Sequence, residues 1–179
     1  LMKDMRKAVD RITSAIEKKE RIMIFGDYDV DGITGSAILM RALTKLKAQV
    51  SCRLPHRIED GYGLRVKFIE EFAKLGVKVL ITVDNGIVAH AAVNFANENT
   101  IDVIITDHHV VDAKLPEALA IVHTTKLCGT GVAWLLSQEI RNPKSEIRND
   151  HLELVALATV ADLVPLKGAN RTLLKFGLE

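Results

Sequence analysis

The sequence predicts an α/β protein built on an open, mainly parallel sheet of about five strands, with helices on both faces and further helices at the C-terminal end. Three observations predict it. Residues 21–27 (RIMIFGD), 77–84 (VKVLITVD) and 101–107 (IDVIITD) are short, almost uninterrupted β-branched runs, the pattern of strands covered on both faces. Stretches of helical periodicity separate them, and alternating strand and helix implies right-handed crossovers onto a parallel sheet. The 179 residues, 48% apolar and 26% charged, suffice to bury one full core, so a single domain is expected.

Taken in order, residues 1–19 form an amphipathic leading helix, 21–27 the first strand and 33–47 a helix. Residues 49–54 are a weaker strand. A helix over 64–75 leads into the strand 77–84, and a helix over 87–98 follows it. After the strand 101–107, residues 119–123 make a second weak strand. Residues 131–141 and 152–160 read as helices, separated by the polar stretch 142–150, which holds the only Asn-Pro and is expected to be a mobile surface loop.

Composition narrows the function. With 24 Lys+Arg against 23 Asp+Glu the net charge is +1, which excludes a globally cationic nucleic-acid coat and an acidic disordered tail. No run approaches the roughly 18 apolar residues of a membrane span, and residues 1–21 are charged throughout with no signal-peptide pattern. A cytoplasmic protein with no membrane partner is expected. Cys52 and Cys128 lack Cys-x-x-Cys spacing, so neither a disulfide framework nor a thiolate zinc site is indicated, and each reads as a free buried thiol.

The chemistry gathers where the strands end. In an open parallel sheet ligands collect outside the carboxyl ends of the strands. Three predicted strands deliver acidic residues there: Asp27, Asp29 and Asp31 in FGDYDVDG, Asp84 in TVDNG, and Asp107 followed by His108 and His109 in TDHH. Residues 79–112 contain five acidic residues and no Lys or Arg, a density that calls for a cation among them. Carboxylate and imidazole without thiolate point to Mn²⁺ or Mg²⁺ rather than structural zinc. Alternation along an extended segment places at least two of Asp27, Asp29 and Asp31 on one side, and Gly32 lets the chain turn into its helix. Two ions roughly 3.5–4 Å apart would activate water and clamp a phosphoryl oxygen, with Asp84 as the bridging candidate. Any one of these aspartates alone would more commonly cap a helix. His56, His90, His123 and His151 fall outside the cluster.

At FGDYDVDG, TVDNG and TDHH the sequence resembles the DHH phosphoesterase superfamily, and within it the branch of RecJ-type single-strand-specific 5′ to 3′ exonucleases. RLPHRIEDGYGL, LPEALAIV, GTGVAW and LVALATVADLVPLKGANR extend the resemblance over nearly the whole chain. It implies metal ligands at Asp29, Asp31, Asp84, His108 and Asp162, the last of which otherwise reads as a helix-terminal residue. It also implies a phosphate contact at His109. Asp27 and Asp107 are expected to orient the ligands from behind. By its place in the PHR segment, Arg57 is expected to meet a terminal phosphate. Tyr62, between Gly61 and Gly63, either stacks on a base or packs a turn. Gly129 and Gly131 either admit a phosphate to the backbone or merely begin a helix. Residues 41–67 hold seven basic and two acidic residues, a local +5 that would track a phosphate backbone beside the metal site.

The resemblance implies a hydrolase releasing 5′ mononucleotides from single-stranded DNA. An enzyme for short oligonucleotides or cyclic dinucleotides, or a non-catalytic replication or repair scaffold, are the alternatives. Members of this branch continue past GANR into a second domain that closes over the substrate. Residues 1–179 are therefore expected to be the catalytic DHH domain alone. Ala169 stands where the family usually carries an acidic residue, and residues 122–129 are shorter than usual.

Overall fold

The computed structural model describes residues 2–141 and 150–179; of the expected loop 142–150, all but Asp150 lie outside the described residues. Five strands, β1 (Arg21–Gly26), β2 (Gln49–Arg53), β3 (Val77–Val83), β4 (Asp102–Asp107) and β5 (Ala120–His123), form one sheet in the order β2-β1-β3-β4-β5. Every pairing is parallel. Both weak strands of the sequence are present, one at each edge.

The helices are α1 (Met5–Glu17), α2 (Val30–Lys45), α3 (Val66–Lys74), α4 (His90–Glu98), α5 (Gly129–Arg141), α6 (Leu152–Ala161) and α7 (Ala169–Gly177). Helix α2 begins three residues earlier than its periodicity predicts, because Asp29, in extended backbone, caps it by accepting the Gly32 amide at 3.0 Å. Helix α7 has no counterpart in the sequence reading: only Asn170 is fully buried along it, although Leu173 packs against the core.

Successive strand residues face opposite layers. Ile22, Ile24, Val79, Ile81 and Ile104 pack under α1, α2 and α5, whereas Met23, Phe25, Leu80, Val103 and Ile105 pack under α3 and α4. On the second face Phe25 meets Phe68 and Phe72 with ring centroids 4.7 and 6.1 Å apart. Burying each such ring contributes about 1.5–3 kcal/mol. A smaller cluster of Ile38, Trp134, Leu152 and Val155 joins α2, α5 and α6. It returns the end of α6 to the carboxyl edge of the sheet. The connections after β1 and β3 leave over opposite faces, so the topological switch point, where a crevice opens, lies between these two strands.

Cys128 is a buried free thiol, but Cys52 is free and exposed, because the edge strand β2 is covered less than a central strand would be. Among the described residues no helix is long and apolar enough to cross a membrane.

Candidate metal centre

The switch point is where the acidic motifs meet. Side-chain ligand atoms of Asp27, Asp29 and Asp84 lie within 4.8 Å of one another, as do those of Asp31, His108 and Asp162, and those of Asp84, His108 and His109. Shared Asp84 and His108 fuse the three groups into one centre. His108 Nε2 stands 3.1 Å from Asp84 Oδ1, 3.5 Å from Asp162 Oδ2 and 3.6 Å from Asp31 Oδ2.

Each side chain is held by backbone design. Asp31 is not part of an extended alternation, as its spacing suggests, but sits in the first turn of α2. Its two carboxylate oxygens accept the amides of Gly129 (2.6 Å) and Thr130 (2.7 Å), the positive end of α5. Thr130 Oγ1 also donates to the Asp31 carbonyl at 2.7 Å. Gly32 is required by close approach rather than by a turn: a Cβ there would lie 2.4–2.6 Å from the Asp27 backbone. Asp84 adopts left-handed backbone with φ of 62°, and beside it the buried Asn85 amide donates to the carbonyls of Val83 (2.9 Å) and Phe25 (3.3 Å), tying the ends of β3 and β1. A Cβ on Gly129 would lie 2.7 Å from Asp84 Cβ, so only glycine lets α5 start here.

Asp107 works from behind. Its Oδ1 accepts the amides of His108 (2.7 Å) and His109 (3.1 Å) and faces His109 Nδ1 at 2.7 Å, while Oδ2 accepts the Ile87 amide at 2.9 Å. His123 Nε2 donates to the His109 carbonyl at 2.7 Å. Asp162 is the C-cap of α6, and its amide bonds the Ala158 carbonyl at 2.9 Å.

The electrostatics divide the acids into two kinds. Burial, then the charges of Asp31 and Asp29, push Asp84 up to about 10. Burial likewise raises Asp27 and Asp162, with Asp29 adding to both. Asp107 goes the other way: burial raises it, but the His109 ring and the amides of His109 and Ile87 outweigh this and lower it. The same contact raises His109 and favours its cationic form. Asp84 Oδ1, His108 Nε2 and Asp27 Oδ1 are buried with no hydrogen-bond partner. Hard oxygen donors crowded around an imidazole nitrogen, with buried atoms left unsatisfied, fit a divalent cation of the Mn²⁺ or Mg²⁺ type.

The remaining predicted residues spread around this centre. Asp27, expected to orient the ligands from behind, has a carboxylate oxygen within 4.8 Å of those of Asp29 and Asp84. Arg57 is exposed at the rim, its guanidinium 5.2 Å from the Tyr28 ring centroid, and its charge reaches Asp27. Tyr62 stands edge-on to His109, centroids 6.0 Å apart, and its hydroxyl donates to the Asp84 carbonyl at 3.5 Å. Burial and the neighbouring carboxylates raise its phenol. Gly131 does not offer its backbone to a ligand, because its amide is taken by Cys128 Sγ at 3.4 Å inside α5.

The +5 stretch is no single patch. Arg41, Lys45 and Lys47 lie toward the far end of α2, about 21 Å along the axis from Asp31 to Lys45. Arg53 is committed to Asp60, Glu71 and the Phe68 ring, and Lys67 to Asp60. Charge alone could not reveal Asn85, Gly129, Thr130 or His123. Their only signals are their places in TVDNG, GTG and the end of a weak strand.

Carboxylates and an imidazole converging at the switch point of a parallel sheet define an α/β protein with a hard divalent-cation centre. The chain belongs to the DHH family: residues 21–159 match the family's N-terminal domain. It is 41% identical to the single-stranded-DNA-specific exonuclease RecJ of Bacillus subtilis over 99% of this chain and 23% of that protein. Against RecJ of Thermus thermophilus it is 38% identical over 99% of this chain and 28% of that one. A crystal structure of exonuclease RecJ bound to manganese superposes with a TM-score of 0.93 at 38% identity, covering 99% of this chain and 48% of that one. RecJ from Thermus thermophilus in complex with Mn²⁺ superposes with a TM-score of 0.87 at 34% identity, covering 99% and 27%. The chain thus spans about a quarter of the length of these two curated relatives.

Proposed function

We propose that this chain is the phosphodiesterase core of a RecJ-type exonuclease that degrades single-stranded DNA from its 5′ end and releases 5′ mononucleotides. The observation that carries the reading is the pair Asp84 Oδ1 and His108 Nε2, 3.1 Å apart, both buried and without hydrogen-bond partners, amid Asp27, Asp29, Asp31 and Asp162. Asp29, Asp31, Asp84, His108 and Asp162 would hold two ions, Mn²⁺ or Mg²⁺, the former being the ion in two of the RecJ crystal structures. Bound there, such ions supply Lewis-acid polarisation of a phosphoryl oxygen and a water of lowered pKa.

The chain's own residues do the rest. His109, whose imidazolium form Asp107 favours, would offer Nε2–H to a non-bridging phosphoryl oxygen, where negative charge grows during attack. Asp107 is occupied by four donors, so it orients the histidines rather than exchanging protons. Arg57 receives the terminal phosphate. A cleft of about 450 Å³ lined by Tyr62, Ile87, Val88, His109 and Val110 opens beside this point and offers a base an apolar wall and one aromatic edge. In the whole protein a second domain would complete the clamp, and DNA as substrate sets its action in the cytoplasm.

The test is product analysis of labelled single-stranded DNA with Mn²⁺. Mononucleotides released from the 5′ end, and their loss by at least about 10³-fold in Asp84→Ala, are expected. Cleavage restricted to di- to pentanucleotides would replace this reading with a short-oligonucleotide phosphodiesterase. No cleavage of either, with metal bound, would leave a scaffold.

A further inference from the structure

Asn170, in the first turn of α7, is buried on a helix that is otherwise largely exposed. Its Nδ2 donates to two main-chain carbonyls, those of Lys126 at 2.9 Å and Pro165 at 3.0 Å. Carbonyl oxygens only accept, so the nitrogen side of the amide has to face them. Oδ1 is left buried without a hydrogen-bond partner, a cost that an apolar side chain would not carry. What Asn170 contributes is therefore its two N–H donors.

The two carbonyls belong to segments that lead into the cation centre. Three residues after Lys126 comes Gly129, whose amide, with that of Thr130, is accepted by the Asp31 carboxylate. Three residues before Pro165 stands Asp162 at the end of α6. Asp31 and Asp162 in turn flank His108 Nε2, at 3.6 and 3.5 Å, within a single group of possible cation ligands. One amide thus joins the segment that holds Asp31 to the segment that carries Asp162. Cys128 clusters with Ala158 and Val164 across the same junction, but elsewhere a cavity of about 570 Å³ opens between the loops. Lys126 and Leu127 line it from one side, Val164, Pro165 and Lys167 from the other.

From this bridge we infer that Asn170 is a positioning residue of the cation centre: by joining Lys126 to Pro165 it fixes the separation of Asp31 and Asp162, and with it the fit of Asp31, His108 and Asp162 to a divalent ion. This rests on the cation centre of the reading above and adds to it a residue outside the ligand set, on a different helix. Side chains that orient metal ligands directly change affinity by about 10- to 100-fold. Asn170 acts one link further out, through two main-chain segments, so a change of about three- to tenfold is expected.

The experiment measures the Mn²⁺ affinity of the 179-residue chain by isothermal calorimetry well below its unfolding temperature, with circular dichroism confirming the fold of each variant. Asn170→Ala removes both donors, and Asn170→Asp keeps the shape but sets a carboxylate against the two carbonyls. Each should weaken Mn²⁺ binding about three- to tenfold. Leu173→Ala, on the same helix and packed against the core, lowers stability without touching the bridge and should leave the affinity unchanged. In an Asp162→Ala background Asn170→Ala should bring no further loss. One arm needs no variant to fold: in the unmodified chain Mg²⁺ should slow solvent exchange of the Asn170 side-chain amide protons, read by NMR. The inference is overturned if both Asn170 variants keep full affinity, if Leu173→Ala weakens binding as much as they do, if the loss persists in full without Asp162, or if Mg²⁺ leaves the exchange unchanged. An unmodified chain that binds no Mn²⁺ removes the exonuclease reading itself, whereas normal binding in the unmodified chain and in both Asn170 variants removes Asn170 alone.

Discussion

Asp84 combines three unusual conditions: left-handed backbone, a carboxyl oxygen buried without a hydrogen-bond partner, and a pKa pushed up to about 10 by burial and by Asp31 and Asp29. Backbone in this region costs a non-glycine residue on the order of 1 kcal/mol or more, and the strain is sustained by Asn85 and by the glycine at 129. In the free protein this shift favours the protonated carboxyl of Asp84. A divalent ion must displace that proton. Binding then releases about one proton per Asp84, and Mn²⁺ affinity rises with pH, by up to about tenfold per unit between roughly pH 6 and 9. Calorimetry in buffers of different ionisation enthalpy measures both, and an affinity independent of pH would contradict the raised pKa of Asp84. The sign is opposite at His109: its raised pKa keeps the imidazolium present below that pKa, so the proposed phosphate contact should weaken as pH rises through it.

Helices α2 and α5 turn residues into a site. Helix α2 delivers Asp31, and the amino end of α5 receives it, so the two helices are locked through one carboxylate and two amides. Gly32 is the point where this assembly touches the end of β1, and Gly32→Ala would drive a methyl group into the Asp27 backbone. The expected cost is at least about 1–3 kcal/mol of stability, with Mn²⁺ affinity falling at least about tenfold because Asp29 and Asp31 move together. Thermal unfolding with and without Mn²⁺ reads both effects; an unchanged midpoint would refute the close approach. The strands were legible because a central parallel strand writes an unbroken apolar run, as in 77–84. Asp29 and Asp84 were legible because strand ends of this sheet must cluster. Asp162 was not, since a helix cap looks like any other polar residue, and only the resemblance of TVAD marked it. Gly32 and Gly129 were legible as residues that let helices begin, but their close approaches to Asp27 and Asp84 were not, and Asn85 stayed hidden because its partner Phe25 is distant in sequence.

At the scale of the whole molecule the near-zero net charge hides a strongly uneven distribution. The acids of the centre are concentrated at one edge of the sheet, whereas the basic stretch divides between the rim, internal ion pairs and the far end of α2. In the proposed function, attraction for a phosphate backbone would be local, centred on Arg57 and the cation site, rather than a broad basic track. Every part of the proposed reaction depends on that cation site. Isothermal calorimetry of the chain with Mn²⁺, set against Asp84→Ala, tests it most directly: saturable binding of about two ions per chain is expected, weakened at least about tenfold in the variant. Absence of binding in the chain, or equal binding in Asp84→Ala, would contradict the account.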